Sequence, residues 1–421
     1  MNKFIIVPLF ALVLLSIDLY AYQAFRFAFI HSGESVRKLV FILYWSLTLV
    51  VMIGYFSYHF LNPDYLSRTY RVFLLTGIFM NYFAKIFIIF FLVIDDVIRM
   101  GRWAFEGVAS VFRSRASGLI NPAGEAISRS DFLMKTALIA GALPVISMGY
   151  GIISGAHDYR IRRHKILLPH LPASFDGLHV GQISDIHSGS FFNKTAVTGG
   201  VEMFMNEKPD VIFFTGDLVN NVADEMKDWM SVFSRIKAPL GVFSILGNHD
   251  YGDYTYWSSP EEKIKNLEDL KQIHRLLGYD LLLNENRRIR IKGDEIALIG
   301  VENWGRGHFS KYGKLEKAYP GSEDAPVKLL LSHDPSHWDA QVRPEFPAID
   351  MTFSGHTHGF QFGVEIGKFR WSPSQYVYRQ WAGLYQEGNQ RLYVNRGFVF
   401  LGFPGRIGIP PELTIFELKR A

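Results

Sequence analysis

Phe4 to Ile30 is apolar apart from a few residues such as Ser16, Asp18, Gln23 and Arg26, and few features constrain a fold more tightly. Lipid offers no partner to backbone N–H and C=O groups, so such a run must bond them internally as a helix. About 20 residues suffice to cross the hydrocarbon core. Three more runs repeat the pattern: Leu39 to Leu61, Phe73 to Ile94 closed by Asp95-Asp96, and Phe132 to Ile153. The last carries Gly141, Pro144, Gly149 and Gly151, residue types tolerated in membrane helices when neighbours re-satisfy the backbone. Because the first run lacks a clear small-residue cleavage site and further spans follow, it reads as a span rather than a cleaved signal peptide. Residues 1–155 are thus expected to form a four-span, multi-pass transmembrane region.

Composition agrees with a split chain. Hydrophobic residues make up 48% of the 421 and Phe occurs 35 times, the excess falling in this front part. Cysteine is absent, which excludes disulfides, thiolate catalysis and Cys-ligated zinc. A net charge of +4 fits a mildly basic membrane protein, and no nucleic-acid partner is expected without a denser basic stripe. Asp18 and Lys85 lie near the middle of their spans, where a lone charge needs a partner. A structural pair is the preferred reading over a transport or proton-relay pathway. The 95–131 segment reads either as a connecting loop or as one holding an amphipathic interfacial helix. Seven basic residues flank the spans on each side, so the positive-inside rule does not choose between the two orientations. The lead-in Ser128-Arg129-Ser130-Asp131-Phe132-Leu133-Met134-Lys135 looks like a degraded twin-arginine export signal, which would place the C-terminal domain outside the cytoplasm.

From His164 onward the pattern changes to short β-rich runs alternating with helical stretches. That alternation argues a layered α/β domain, where ligands gather at the carboxyl ends of strands. Residues 156–176 are expected as a linker leading into a domain over 177–421. A strand over His179–Ser184 delivers Asp185-Ile186-His187, two side chains on one side of an extended chain. After an expected helix over Lys194–Met205, Val211–Phe214 ends in Gly216-Asp217, a carboxylate whose two oxygens can reach separate cations. A further helix is expected over Ala223–Ile236. Gly241–Leu246 then runs into Gly247-Asn248-His249-Asp250, an amide ligand beside a His-Asp pair suited to acid or charge-stabilising work. Val327–Leu331 ends in Ser332-His333-Asp334, and Ile349–Phe353 in Gly355-His356-Thr357-His358-Gly359. Each motif alone is compatible with an ordinary polar turn. Together, in this order, they are not.

The five motifs resemble those of the calcineurin-like metallophosphoesterase superfamily over residues 177–360, and the tail around Trp381–Tyr385, Leu392–Gly397, Pro404–Arg406 and Pro411–Leu413 is similar to its membrane-associated bacterial branch. The resemblance implies an α/β domain built as a layered β-sandwich flanked by helices, holding two divalent metal ions. It assigns Asp185, His187, Asp217 and His358 to one ion and Asp217, Asn248, His333 and His356 to the other, with Asp217 as the bridge. It puts His249 near the phosphoryl group, oriented by Asp250. Oxygen and nitrogen ligands suit Mn, Fe, Zn, Co or Ni. Such a pair of ions activates a shared water for in-line attack on phosphorus and neutralises the phosphoryl oxygens. Phe360 departs from the branch, which often has a second glycine there.

The expected activity is hydrolysis of a phosphoester or pyrophosphate bond of a phosphorylated small molecule or lipid at the surface of the bilayer. A tethered, broad phosphodiesterase acting on soluble substrates is the rival enzymatic reading, and a transporter or sensor regulated by a metal-binding domain is the non-enzymatic one. Tyr251, Tyr254, Tyr256 and Trp257 are read as a lid or headgroup contact. Phe369, Trp371, Tyr376, Tyr378, Trp381 and Tyr385, interleaved with Arg370 and Arg379, are read as an amphipathic cleft or as ordinary packing.

Overall fold

A computed structural model of the protein describes residues 2–62, 65–112, 129–307, 309–367 and 369–421, which divide into two compact units, 1–149 and 150–421. In the first unit the apolar runs form α1 (Lys3–Ala28), α2 (Glu34–Phe60), α3 (Arg68–Phe112) and α4 (Arg129–Ile153), and all four are long and apolar enough to span a membrane. The Asn2 side chain caps α1 by accepting from Phe4 N–H. Asp18 is buried and accepts from Lys85, from Tyr82 OH at 2.9 Å and from Thr48 Oγ1 at 3.1 Å. The mid-span charges are therefore partners inside one hydrogen-bonded cluster.

The end expected for the third span at Ile94 is not a helix end. The helix runs on to Phe112, because Arg99 pairs with Asp95 at 3.3 Å and with Asp96, one turn away, and Tyr20 OH donates to Asp96 at 2.6 Å. Such pairs keep a polar stretch helical. Residues 95–112 are thus helix rather than loop, while 113–128, with the rest of the expected interfacial helix and the first residue of the export-like lead-in, lie outside the described residues.

The second unit is built on two six-stranded sheets. The first runs in the order β1 (Arg160–Leu168), β14 (Glu412–Arg420), β2 (His179–Ile183), β3 (Val211–Phe214), β4 (Val242–Ser244) and β5 (Tyr279–Leu281). The second runs β12 (Gly383–Glu387), β13 (Gln390–Val394), β9 (Met351–Ser354), β8 (Lys328–Leu331), β7 (Asp294–Gly300) and β6 (Glu285–Ile291). A separate hairpin pairs β10 (Val364–Ile366) with β11 (Phe369–Trp371). Strands β2 to β5 are parallel, as are β7, β8, β9 and β13. Parallel strands are covered on both faces, and β3, β8 and β9 are buried at every position. The two sheets share a core in which Phe213 of β3 meets Phe353 of β9 edge to face at 5.1 Å. Helices α5 (Lys194–Met205) and α7 (Pro260–Leu277) cover the outer face of the first sheet with Val197, Val201, Phe204, Leu270 and Leu277. The architecture is the layered β-sandwich flanked by helices.

Two expectations are corrected. The segment read as a linker contains β1, which pairs parallel with β14 along its whole length. The helix expected over Ala223–Ile236 is broken into one 3-10 turn, Ala223–Met226, and one short helix α6, Met230–Phe233.

Candidate metal centre

Both sheets aim the carboxyl ends of their strands at one place. Asp185 and His187 follow β2, Asp217 follows β3, Asn248 follows β4, His333 follows β8, and His356 and His358 follow β9. The turns that carry them are tight. Asp185, His187, Asp217, His356 and His358 all have positive φ, a conformation that costs a non-glycine residue about 1–3 kcal/mol and persists only where the surroundings enforce it. Glycine makes room beside them: a Cβ on Gly247 would lie 2.2 Å from Asp217 Oδ1, and one on Gly355 2.2 Å from Asp185 Oδ2.

The seven side chains named as ligands come together. Asp185, His187 and His358 form one group able to hold an ion and Asp185, Asp217 and His333 another. His187 Nε2 is 3.1 Å from His358 Nε2 and 3.5 Å from Asp217 Oδ2. His333 Nε2 lies 3.1 Å from the same oxygen, without hydrogen-bond geometry to any partner among the described residues. A buried imidazole nitrogen left bare beside a carboxylate is the fit a cation requires. Asn248 Oδ1 is 2.8 Å from His356 Nδ1, and its amide nitrogen donates to Tyr254 OH at 3.0 Å, which turns the oxygen inward. Asp217 departs from expectation in one respect. Its Oδ1 accepts the backbone N–H of His249 at 2.8 Å, and its Oδ2 is the oxygen that lies near both His187 and His333.

Backbone carbonyls set the imidazoles. Thr215 O accepts from His333 Nδ1 at 2.7 Å and Val399 O from His358 Nδ1 at 3.1 Å, leaving both Nε2 atoms as the ends available to a metal ion. Burial alone would keep His333 neutral, but the Asp217 carboxylate outweighs it and lifts the imidazole pKa to about 10. Asp217 itself is held well below the usual carboxylate range: burial opposes this, and His333 and His249 overcome it. The site therefore draws positive charge, and its Asp/His groups are able to bind a metal ion, which would take the place of that proton.

His249 follows Asn248 and lines a cavity of about 580 Å³ together with Asp217, Tyr254, Phe309, Phe360 and Tyr378. Its Nδ1 donates to the carbonyl of Asn220 at 2.8 Å. The expected orientation of His249 by Asp250 is not what the structure has. The Asp250 carboxylate faces away, accepting from Gly247, Asp217, Leu218 and Val219 N–H at 2.8–3.3 Å. Burial, with the nearby Asp217 carboxylate, pushes Asp250 up to about 7, against the pull of those N–H groups.

The sequence reading gave no role to Asp334, Arg406 or Asn220 and placed Tyr378 only in an aromatic cleft. Tyr378 OH is 2.7 Å and Asp334 Oδ2 3.5 Å from His356 Nε2. Arg406, fully buried, donates to the carbonyls of Arg396 at 2.7 Å and Gly397 at 3.3 Å and lies 3.2 Å from His358 Nδ1, bracing the loop behind it. Asn220 acts through its carbonyl, which carries no side-chain signal; Asp334, beside a candidate ligand, was the one legible from type and position. Of the expected lid, Tyr254 reaches the cavity, whereas Tyr251 is core, stacked on Tyr312 at 3.9 Å, and Tyr256 is exposed. Of the second aromatic group, Tyr378 lines the cavity and Trp381 is buried, while Phe369 and Tyr376 are exposed.

Residues 178–360 match the family of calcineurin-like phosphoesterases, and residues 2–156 match the family described as a probable calcineurin-like phosphoesterase transmembrane domain. The chain is 30% identical over 301 residues to the uncharacterized metallophosphoesterase YkuE of Bacillus subtilis, an alignment covering 70% of this chain and 98% of that one. It is 27% identical over 302 residues to the phosphodiesterase YaeI of Escherichia coli, covering 69% and 99%. To the UDP-2,3-diacylglucosamine pyrophosphatase LpxG of Chlamydia trachomatis it is 26% identical over 326 residues, covering 66% and 94%. With four spans in front of a site built for divalent ions, this multi-pass membrane protein is a metal-dependent phosphoester hydrolase, and the chain belongs to the calcineurin-like metallophosphoesterase family.

Proposed function

We propose that the protein hydrolyses a phosphoester or pyrophosphate bond of a lipid or lipid-linked nucleotide at the membrane surface. The observation that carries this reading is Asp217 Oδ2, held between His187 Nε2 at 3.5 Å and His333 Nε2 at 3.1 Å. On this reading Asp185, His187, Asp217 and His358 hold one divalent ion, and Asp217, Asn248, His333 and His356 the other. When bound, the pair supplies an activated water and neutralises charge on the phosphoryl oxygens. The chain supplies the rest. Asn220 O fixes the His249 ring through Nδ1–H, leaving Nε2 to face the cavity, where a protonated imidazole stabilises the phosphoryl group and donates to the departing oxygen. Asp250 is a positioning residue: it locks the His249 turn to the Asp217 turn. Phe309, Phe360 and Tyr378 at the cavity favour a substrate with apolar parts, and LpxG, whose name gives it a diacylated nucleotide sugar, is a relative aligned over 94% of its own length. The export-like lead-in at Ser128–Lys135 supports a domain on the extracytoplasmic side.

The test is hydrolysis by full-length protein in detergent with added Mn, comparing bis-p-nitrophenyl phosphate with a diacylated nucleotide sugar. Asp217→Asn is expected to lose bound metal and activity together, and His249→Ala to keep its metal while losing about 10²–10⁴-fold in rate. An Asp217→Asn protein that is fully metal-loaded, or a parent inactive on both substrates, defeats the reading.

A further inference from the structure

The hairpin of β10 and β11 is amphipathic with its faces reversed. Directly opposed residues of an antiparallel pair share a face, so Ile366 with Phe369 and Val364 with Trp371 form one side and Glu365 with Arg370 the other. In a water-exposed hairpin the charged side faces solvent. Here Glu365 is turned toward the domain, paired with Arg396 and with Arg162 at 2.5 Å, and Arg370 donates to the carbonyl of Ala382 at 2.8 Å. The apolar side is left uncovered by the described residues: Ile366 is 72% and Phe369 62% exposed, with Phe362 and Val364 exposed beside them and Tyr376 and Val377 close in sequence.

We infer that this face lies in the outer layer of a lipid bilayer, as a membrane-contacting element that brings the mouth of the metal centre to the headgroup plane. Three observations favour lipid over a second copy of the chain or another protein. The protein spans a membrane with four helices. Within its own unit the hairpin's surroundings reach the residues by which the chain enters that unit: Arg406 N–H donates to Gly151 O at 3.1 Å, the adjacent Ile407 bridges Phe362, and Tyr150 and Glu365 line one cavity of about 490 Å³. The face also continues to the site, since Phe360, two residues before Phe362, lines the metal cavity. Exposed Ile and Phe flanked by Trp371 and Tyr376 match the makeup of an interfacial element. Phe360 adopts φ +52°, which a glycine takes more cheaply; its retention there fits a surface selected to be apolar.

This rests on the membrane-surface part of the proposed function but not on its chemistry, so the test uses no substrate. The chain has no cysteine, and Ile366→Cys gives one attachment point for an NBD fluorophore. Leu276→Cys, on the exposed side of α7, is the reference. Full-length protein is reconstituted in phosphatidylethanolamine/phosphatidylglycerol vesicles. The label at 366 is expected to emit to the blue of the label at 276, to lose emission when doxyl-labelled lipid is included, and to resist aqueous iodide. Quenching by iodide equal to that at 276 overturns the inference. Shielding from both quenchers overturns it too, by showing a protein contact instead. A lipid-quenched label in a protein that hydrolyses neither substrate would leave this surface standing and the proposed chemistry fallen.

Discussion

Asp250 Oδ2 accepts the backbone N–H of Asp217 at 2.8 Å, so the residue after the candidate catalytic histidine acts on a candidate metal ligand rather than on that histidine. Its other oxygen takes Leu218 N–H at 2.8 Å. Asp250→Asn puts an N–H₂ group against these donors, and each buried donor left stranded costs about 1–3 kcal/mol. Lower metal content and a lower unfolding temperature are expected, with the pH–rate profile of the residual activity keeping its shape. A shifted limb at full metal loading would show that Asp250 tunes His249 after all.

Tyr378 holds the outer end of His356, OH to Nε2 at 2.7 Å, which leaves Nδ1, beside Asn248 Oδ1, as the candidate ligating atom. Loss of such a support weakens metal binding by about 10–100-fold. Tyr378→Phe is expected at the low end of that range, because Asp334 Oδ2 at 3.5 Å can take over the N–H, and Tyr378→Phe with Asp334→Asn at the high end. Metal retained during graded chelation, measured by mass spectrometry, reads the difference; identical curves for parent and both variants would remove Tyr378 from the site's support.

What the sequence disclosed follows from what chemistry demands of side chains. A cation site needs carboxylates and imidazoles, so Asp185, His187, Asp217, Asn248, His333, His356 and His358 were visible as types at strand ends, and the apolar runs before them were visible as strands and spans. Contributions made by backbone were not visible: Asn220 orients His249 through a carbonyl. Long-range pairing was hidden as well. Arg160–Leu168 reads as basic linker, yet edge strands are often charged, and its partner Glu412–Arg420 lies at the other end of the chain. The third span ran past Asp95-Asp96 because a polar pair ends a hydropathy run without ending a helix.

Asp18 and Lys85 test whether the bundle's ion pair is structural. Asp18 also receives Thr48 and Tyr82, and Lys85 lies over the Tyr82 ring at 4.9 Å, so every polar group at the cluster has a partner on a neighbouring helix. Removing one member of a buried pair costs about 3–5 kcal/mol, whereas replacing both with apolar groups is often neutral. Asp18→Asn is expected to lower the unfolding temperature in detergent, and Asp18→Leu with Lys85→Met to recover most of the loss. Hydrolysis per folded molecule should not change in either. A double variant no more stable than the single one would count against a simple pair.

His274 supplies a pH dependence away from the metal centre. It is fully buried on α7, with Nδ1 2.9 Å from Ser244 Oγ and its ring beside Phe214 and Tyr279, and burial pushes its pKa down to about 3. The unfolded chain takes up a proton at this residue near pH 6.5. Between those values the unfolded state holds the extra proton, so the contribution is complete above about pH 6.5 and is lost as pH falls toward 3, by up to about 1.4 kcal/mol per pH unit. His274→Gln keeps a polar partner for Ser244 and does not titrate. With saturating metal present, the unfolding temperature of the parent is expected to fall more steeply from pH 6.5 to 5.5 than that of the variant. Parallel slopes would mean that the protein's acid sensitivity in this range arises elsewhere.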